Sequence, residues 1–180
     1  MTYDFRKYRP TPAVVRPQRR WPDQVIAEAP RWCAVDLRDG NQALVKPMTV
    51  EQKTRLFMLL VKVGFKEIEV GFPSSGATDF DFIAGLVQSG AIPDDVMVQV
   101  LTQSRADLIA TSFDSLAGAK SAIVHVYNAV APMWRQIVFN MDMPQIKQIA
   151  IDGAKLLRDN AARLPGTDWR FEYSPECFST

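Results

Sequence analysis

Five short runs rich in β-branched and aromatic residues recur along the 180 residues, and stretches with helical spacing separate them. The runs are Trp32–Leu37, Ile68–Pro73, Met97–Leu101, Ala122–Tyr127 and Trp169–Tyr173. Strands alternating with helices imply βα units and a parallel sheet. Between them, Thr49 and Gln52 form a capping box opening a helix whose apolar face is Leu56, Leu59, Leu60 and Val63, with Gly64 as its stop. A second helix is expected over Asp79–Gln88, capped by Thr78 or Asp79. A third starts at Ser104 with Asp107 three residues on and runs through Leu108, Ile109, Phe113 and Leu116. A fourth runs from Pro144 to Ala162.

Two parallel architectures compete, an open doubly wound sheet and a (β/α)8 barrel of the TIM type. No G-x-G-x-x-G follows the first strand, so a dinucleotide site has no support. Glu69, Gln99, His125, Arg170 and Glu172 interrupt the apolar runs. Polar groups inside a barrel are tolerated near its C-terminal mouth, so these favour an α/β fold of the (β/α)8 type, with about five of its eight βα units in this chain. Residues 1–30 differ from this pattern. Pro10, Pro12, Pro17, Pro22 and Pro30 break helices, and Tyr3, Phe5, Tyr8 and Trp21 supply apolar area among arginines. They read as an extended arm that wraps over the domain or a partner subunit, with residues 31–180 as a partial barrel.

Charge narrows the function classes. With 21 basic and 20 acidic residues the net charge is +1, without the basic excess of a nucleic-acid binder. No apolar run approaches the ~20 residues of a membrane span, and the N-terminal residues lack the apolar core of a secretory signal. Two cysteines, Cys33 and Cys177, make no disulfide framework, so the cytoplasm is the expected compartment.

A barrel's active site lies at the C-terminal ends of its strands. Those ends carry Arg38 and Asp39; Phe72 and Pro73; Leu101, Thr102 and Gln103; His125, Tyr127 and Asn128; Ser174 and Glu176. In Asp36–Gln42, an arginine and a carboxylate in adjacent positions of an extended chain would point to different sides, one toward a metal and the other toward an anionic oxygen. A surface turn at Asp39-Gly40 is the commoner outcome of those residues alone. His125, the single histidine, is on a buried strand more often a satisfied core residue than a ligand. Glu176 reads equally as a surface carboxylate. Cys177 has no second histidine to serve as its base, and the chain cannot build a multi-histidine metal site.

Taken together, Arg31-Trp32-Cys33-Ala34-Val35-Asp36-Leu37-Arg38-Asp39-Gly40-Asn41-Gln42-Ala43-Leu44 closely resembles the first strand and metal loop of the 2-isopropylmalate synthase family. So do Lys66–Pro73, Val98–Gln103, Ala122–His125 and Trp169–Glu176. The Arg-Asp-Gly-x-Gln core alone indicates a wider superfamily that includes homocitrate and citramalate synthases and hydroxymethylglutaryl-CoA lyase. The resemblance implies a Claisen condensation of acetyl-CoA with 2-oxoisovalerate, the committed step of leucine biosynthesis, by a homodimer in the full-length protein. It implies a divalent metal (Mg²⁺, Mn²⁺ or Zn²⁺) ligated by Asp39, with Arg38 stabilising developing negative charge. Glu176 would orient that arginine or take part in proton transfer, and Leu101, His125 and Ser174, with Arg38, would bind the keto acid.

The resemblance also sets an expectation of incompleteness. A (β/α)8 barrel typically needs ~250 residues, and the family's His-x-His metal pair has no counterpart here. The chain alone is therefore expected to be inactive, a fragment of an enzyme. A non-catalytic remnant that pairs with a full-length subunit and an enzyme for another 2-oxo acid, of the homocitrate or citramalate synthase type, are the competing readings.

Overall fold

The computed structural model describes residues 28–178. The chain divides into two units, 1–30 and 31–180, and the second holds every element below. Apart from residues 28–30, the expected N-terminal arm lies outside the described residues. Five strands, β1 (Cys33–Ala34), β2 (Glu67–Gly71), β3 (Met97–Gln103), β4 (Ser121–Ala129) and β5 (Asp168–Glu176), alternate with four α-helices, α1 (Val50–Val63), α2 (Ala77–Gln88), α3 (Ala106–Ser115) and α4 (Met143–Arg163). The strands form one sheet in the order β1-β2-β3-β4-β5, each parallel to its neighbours. Sequential parallel strands with a helix in each of the longer connections are the βα repeat of a (β/α)8 barrel, here a partial one.

Register sorts the side chains into two faces, because successive residues of a strand point to opposite sides. Glu69 lies beside Gln99, Gln99 beside Ile123, and Ile123 beside Arg170. Two residues further along, Leu101 lies beside His125 and His125 beside Glu172; then Tyr127 beside Ser174. All the polar interruptions noted in the sequence therefore share one face. The other face carries Ile68, Val98, Val100, Ala122, Val124 and Val126, each buried, and the helices cover it with Phe57, Leu60, Phe82, Ile83, Ile109, Phe113 and Leu157. That apolar layer is the core.

Several local expectations are corrected. The apolar run Trp32–Val35 reads as a buried strand reaching to Leu37, yet only Cys33 and Ala34 pair, and Trp32 is 74% exposed. β1 is an edge, hydrogen-bonded on one side alone. From Asp36 to Gly40 the chain winds into a single π-helical turn, so Arg38 and Asp39 do not sit on an extended chain. The Thr49–Gln52 capping box forms as expected. The buried face of α1 is Lys53, Phe57 and Leu60, while Leu59 and Val63 are 53% and 66% exposed. Neither Thr78 nor Asp79 caps α2; Gly76 precedes it, and the Asp79 carboxylate takes the Phe72 N–H (3.0 Å) and Lys53 instead. Ser104 does not cap α3 either. Its hydroxyl donates to the Ile149 carbonyl of α4 (2.8 Å), and Asp107 pairs with Arg105. A capping box that the sequence reading passed over, Asp142 with Gln145, opens α4, with Pro144 in its first turn.

The Ser104 contact brings α4 unusually close to the end of β3. A Cβ added to Gly153 would lie 2.2 Å from Ser104 Oγ and 3.3 Å from its Cβ. Overpacking of this kind costs about 1–3 kcal/mol. Gly153→Ala is expected to lower the thermal midpoint by about 2–4 °C per kcal/mol in a domain of this size. In combination with Ser104→Ala the loss should be less than additive, because that change removes the clashing hydroxyl. Differential scanning calorimetry of both single variants and the double variant checks this.

Candidate active site

The helix-free face of the sheet carries a carboxylate with no exposure to solvent. Glu69, in the middle of β2, is 0% exposed. Its Oε1 takes the Nε–H of Arg38. Its Oε2 takes the Gln99 amide (2.6 Å) and meets His125 Nδ1 (3.1 Å). On its far side, His125 Nε2 lies 2.8 Å from Ser174 Oγ and 3.6 Å from Glu172 Oε1. Four elements thus deliver one chain of contacts: the turn after β1, then β2, β4 and β5, with Gln99 of β3 beside them.

Burial pushes the Glu69 carboxyl up, but the hydrogen bonds from His125, Gln99 and Arg38 and the arginine's charge outweigh it, so the group is held below its ordinary value of 4.5. Glu69 is therefore an ionised, fully desolvated carboxylate with both oxygens engaged. Burial acts in the same direction on Cys33, 3.9 Å from Gln99 Oε1, and is reinforced there by the charge of Glu69. Its thiol rises from 9.0 to about 11.

The residues singled out in the sequence fall into two groups. Arg38, His125 and Ser174 join the network around Glu69, and Leu101, 6% exposed, is the register neighbour of His125. Asp39 sits at the mouth with its side chain 53% exposed and one oxygen on the Arg38 guanidinium. Glu176 is the exposed last residue of β5, where its carbonyl accepts the Val130 N–H (2.9 Å). Among the described residues, the carboxylates that bond Arg38 are Glu69 and Asp39.

Glu69 and Gln99 were visible in the sequence only as interruptions, and their roles depend on register. A second buried ion pair was missed altogether. Lys53, 1% exposed, bonds Asp79 and lies 5.4 Å from the Phe82 ring centre. Its signal was a lysine three and four residues from apolar positions on one face of α1. The pair forms a wall of a cavity of about 780 Å³ that Arg38, Asn41, Gln42 and Phe72 also line.

The fit of this site to a divalent metal is incomplete. A carboxylate such as Asp39 suits a hard cation. Among the described residues, however, no group of three His, Cys, Asp or Glu side chains is placed to hold one. Both oxygens of Glu69 are already taken by internal donors.

With its sheet, its polar face and its site at the strand ends, the chain belongs to the HMGL-like family, whose profile matches residues 29–180. Its relatives point more narrowly. It is 59% identical over 179 residues to the 2-isopropylmalate synthase of Alcanivorax borkumensis, covering 99% of this chain and 32% of that protein. It is 54% identical over 173 residues to the 2-isopropylmalate synthase of Ralstonia pickettii, covering 96% of this chain and 30% of that protein. The chain thus spans about a third of the length of the curated relatives it matches. Its fold is similar to that of the hydroxymethylglutaryl-CoA lyase of Pseudomonas aeruginosa, with a TM-score of 0.56 and 26% identity over 79% of this chain and 45% of that one.

The raised Cys33 thiol gives a direct chemical test of the buried charge. Cys177 is exposed and Cys33 is half-buried. At pH 8 the thiolate fraction of Cys33 is about a hundredfold below that of an ordinary thiol, so iodoacetamide should alkylate Cys177 first, as peptide mass mapping would read out. Glu69→Gln should then speed labelling of Cys33.

Proposed function

We propose that residues 31–178 supply one wall of the active site of a metal-dependent acyltransferase of the 2-isopropylmalate synthase type. The reaction joins the methyl carbon of acetyl-CoA to the ketone carbon of 2-oxoisovalerate. A C–H bond and the ketone π bond break, a C–C bond forms and the ketone oxygen takes up a proton; water then cleaves the thioester to give 2-isopropylmalate and free CoA. The observation that carries the reading is the network of Arg38, Glu69, His125 and Ser174 on the helix-free face, in a chain 59% identical to an enzyme of that name.

Each residue has a stated part. Arg38 is held from two sides by Glu69 and Asp39, so its guanidinium is fixed before any substrate arrives. A preorganised cation of this kind stabilises the oxyanion that forms as the ketone is attacked. Leu101, His125 and Ser174 line the keto-acid side of the wall. Asp39 is the ligand this chain offers to Mg²⁺, Mn²⁺ or Zn²⁺, which when bound would polarise the ketone as a Lewis acid. Glu176 at the rim of β5 is assigned to proton transfer. The remaining metal ligands are assigned to parts of the protein outside these residues, so the chain by itself is expected to show no turnover. The cytoplasm and a homodimer follow from the same reading.

A chimera tests this. Residues 1–180 would replace the matching segment of the Alcanivorax borkumensis relative. Release of CoA thiol from acetyl-CoA should depend on 2-oxoisovalerate and on added divalent metal. Arg38→Gln should lower kcat by about 10²–10³-fold, the usual loss for one oxyanion donor. Preference for another 2-oxo acid over 2-oxoisovalerate would move the assignment to a homocitrate or citramalate synthase-type enzyme.

A further inference from the structure

The carboxylate–imidazole–hydroxyl chain Glu69, His125, Ser174 leaves open which nitrogen of His125 carries the proton, and that choice decides what the wall presents to a ligand. Two arrangements compete at Nδ1. In one, Nδ1–H donates to Glu69 Oε2 at 3.1 Å. In the other, Nδ1 is bare and accepts from the Gln99 amide at 3.3 Å. A bare Nδ1 would set its lone pair against a carboxylate oxygen that is fully buried. A hydrogen bond to an ionised acceptor is roughly twice as strong as a neutral one. The Gln99 amide is already donating to the same oxygen at 2.6 Å. Gln99 Nε2 carries two N–H bonds, so its bond to Glu69 does not decide the matter; the carboxylate contact does, and it favours the Nδ1–H tautomer.

In the neutral imidazole, the proton on Nδ1 makes Nε2 an acceptor. Ser174 Oγ, at 2.8 Å, is the partner within hydrogen-bond reach; Glu172 lies further off, at 3.6 Å, with its side chain 48% exposed. The Ser174 hydroxyl proton then points at His125. Gln99 donates to Glu69, Arg38 to Glu69 and Asp39, and the Tyr173 hydroxyl on the opposite face to Asn128 (3.0 Å). Leu101, beside His125 in register, adds carbon.

We propose that Glu69 is a positioning residue that acts through His125 to turn the Ser174 proton away from the pocket. At His125 and Ser174 the wall therefore offers lone pairs, and at Leu101 carbon, which suits a 2-oxo acid with an apolar tail lying against them, while Arg38 keeps N–H groups for the oxyanion. The substrate class rests on the function proposed above; the tautomer does not.

His125 is the single histidine of the chain, so its imidazole nitrogens can be observed without assignment. With ¹⁵N-histidine incorporated, long-range ¹H–¹⁵N correlation of the 180-residue chain should show a pyrrole-type Nδ1 and a pyridine-type Nε2. Ser174→Ala should leave that pattern in place, because Glu69 sets it. Glu69→Leu should shift the proton toward Nε2. A pyridine-type Nδ1 in the unsubstituted chain, two pyrrole-type nitrogens, or an averaged pair of signals overturns the proposal whatever the variants do. A pattern that follows Ser174 rather than Glu69 overturns it too. If the Nδ1–H tautomer is found and the chimera condenses no 2-oxo acid, the assigned function falls and the relay stands.

Discussion

A single buried charge organises the chemistry of this chain. Glu69 has lost all contact with water, and an ionised carboxylate in that position is tolerated only if its lone pairs are satisfied. Arg38, Gln99 and His125 satisfy them. Hydrogen bonds to charged groups contribute about 1.5–3 kcal/mol each. Removing one partner would leave desolvated charge behind, so the cluster stands or falls as a unit. The consequence is geometric. The turn after β1, the neighbouring strands β2 and β3, and His125 on β4 are tied to one atom group, and Arg38 is aimed before a ligand is present.

The two faces of the sheet divide the work. The helix side holds the apolar core, and its stability comes from burial of aliphatic and aromatic groups. The other side carries Glu69, Gln99, His125, Arg170 and Glu172 at matched register. Toward β5 the apolar cover thins. Phe171 and Tyr173 are 43% and 42% exposed, and they lie on the face that the helices cover elsewhere. In a full (β/α)8 barrel each strand is followed by a helix of the outer ring.

Much of this was legible in the sequence because it depends on local rules. Alternating apolar runs and helical spacing gave five strands in the observed order, and Thr49–Gln52 gave its capping box. Arg38, His125 and Ser174 were singled out by the family resemblance. The illegible part depends on what lies across space. Glu69 and Gln99 looked like interruptions because only register makes them partners. Asp79 and Ser104 looked like helix caps, but Lys53 with the Phe72 amide, and the Ile149 carbonyl, claim them. Trp32 looked buried because nothing in its own run marks β1 as an edge. Nothing in the sequence near Arg38 marks Glu69, 31 residues further on, as the carboxylate that bonds it.

The most direct test is a titration of Glu69 itself. With ¹³C-carboxyl glutamate incorporated, and the Glu69 signal identified by its loss in Glu69→Gln, its chemical shift can be followed as pH falls. Three donors on an ionised buried carboxylate should put the midpoint below the ordinary 4.5. The stability that Glu69 contributes would then be fully present above that value and lost as pH falls through the lowered midpoint. A midpoint above 4.5 would mean that burial outweighs the donors, and that a neutral carboxyl, unable to hold Arg38 by charge, sits at the centre of the site.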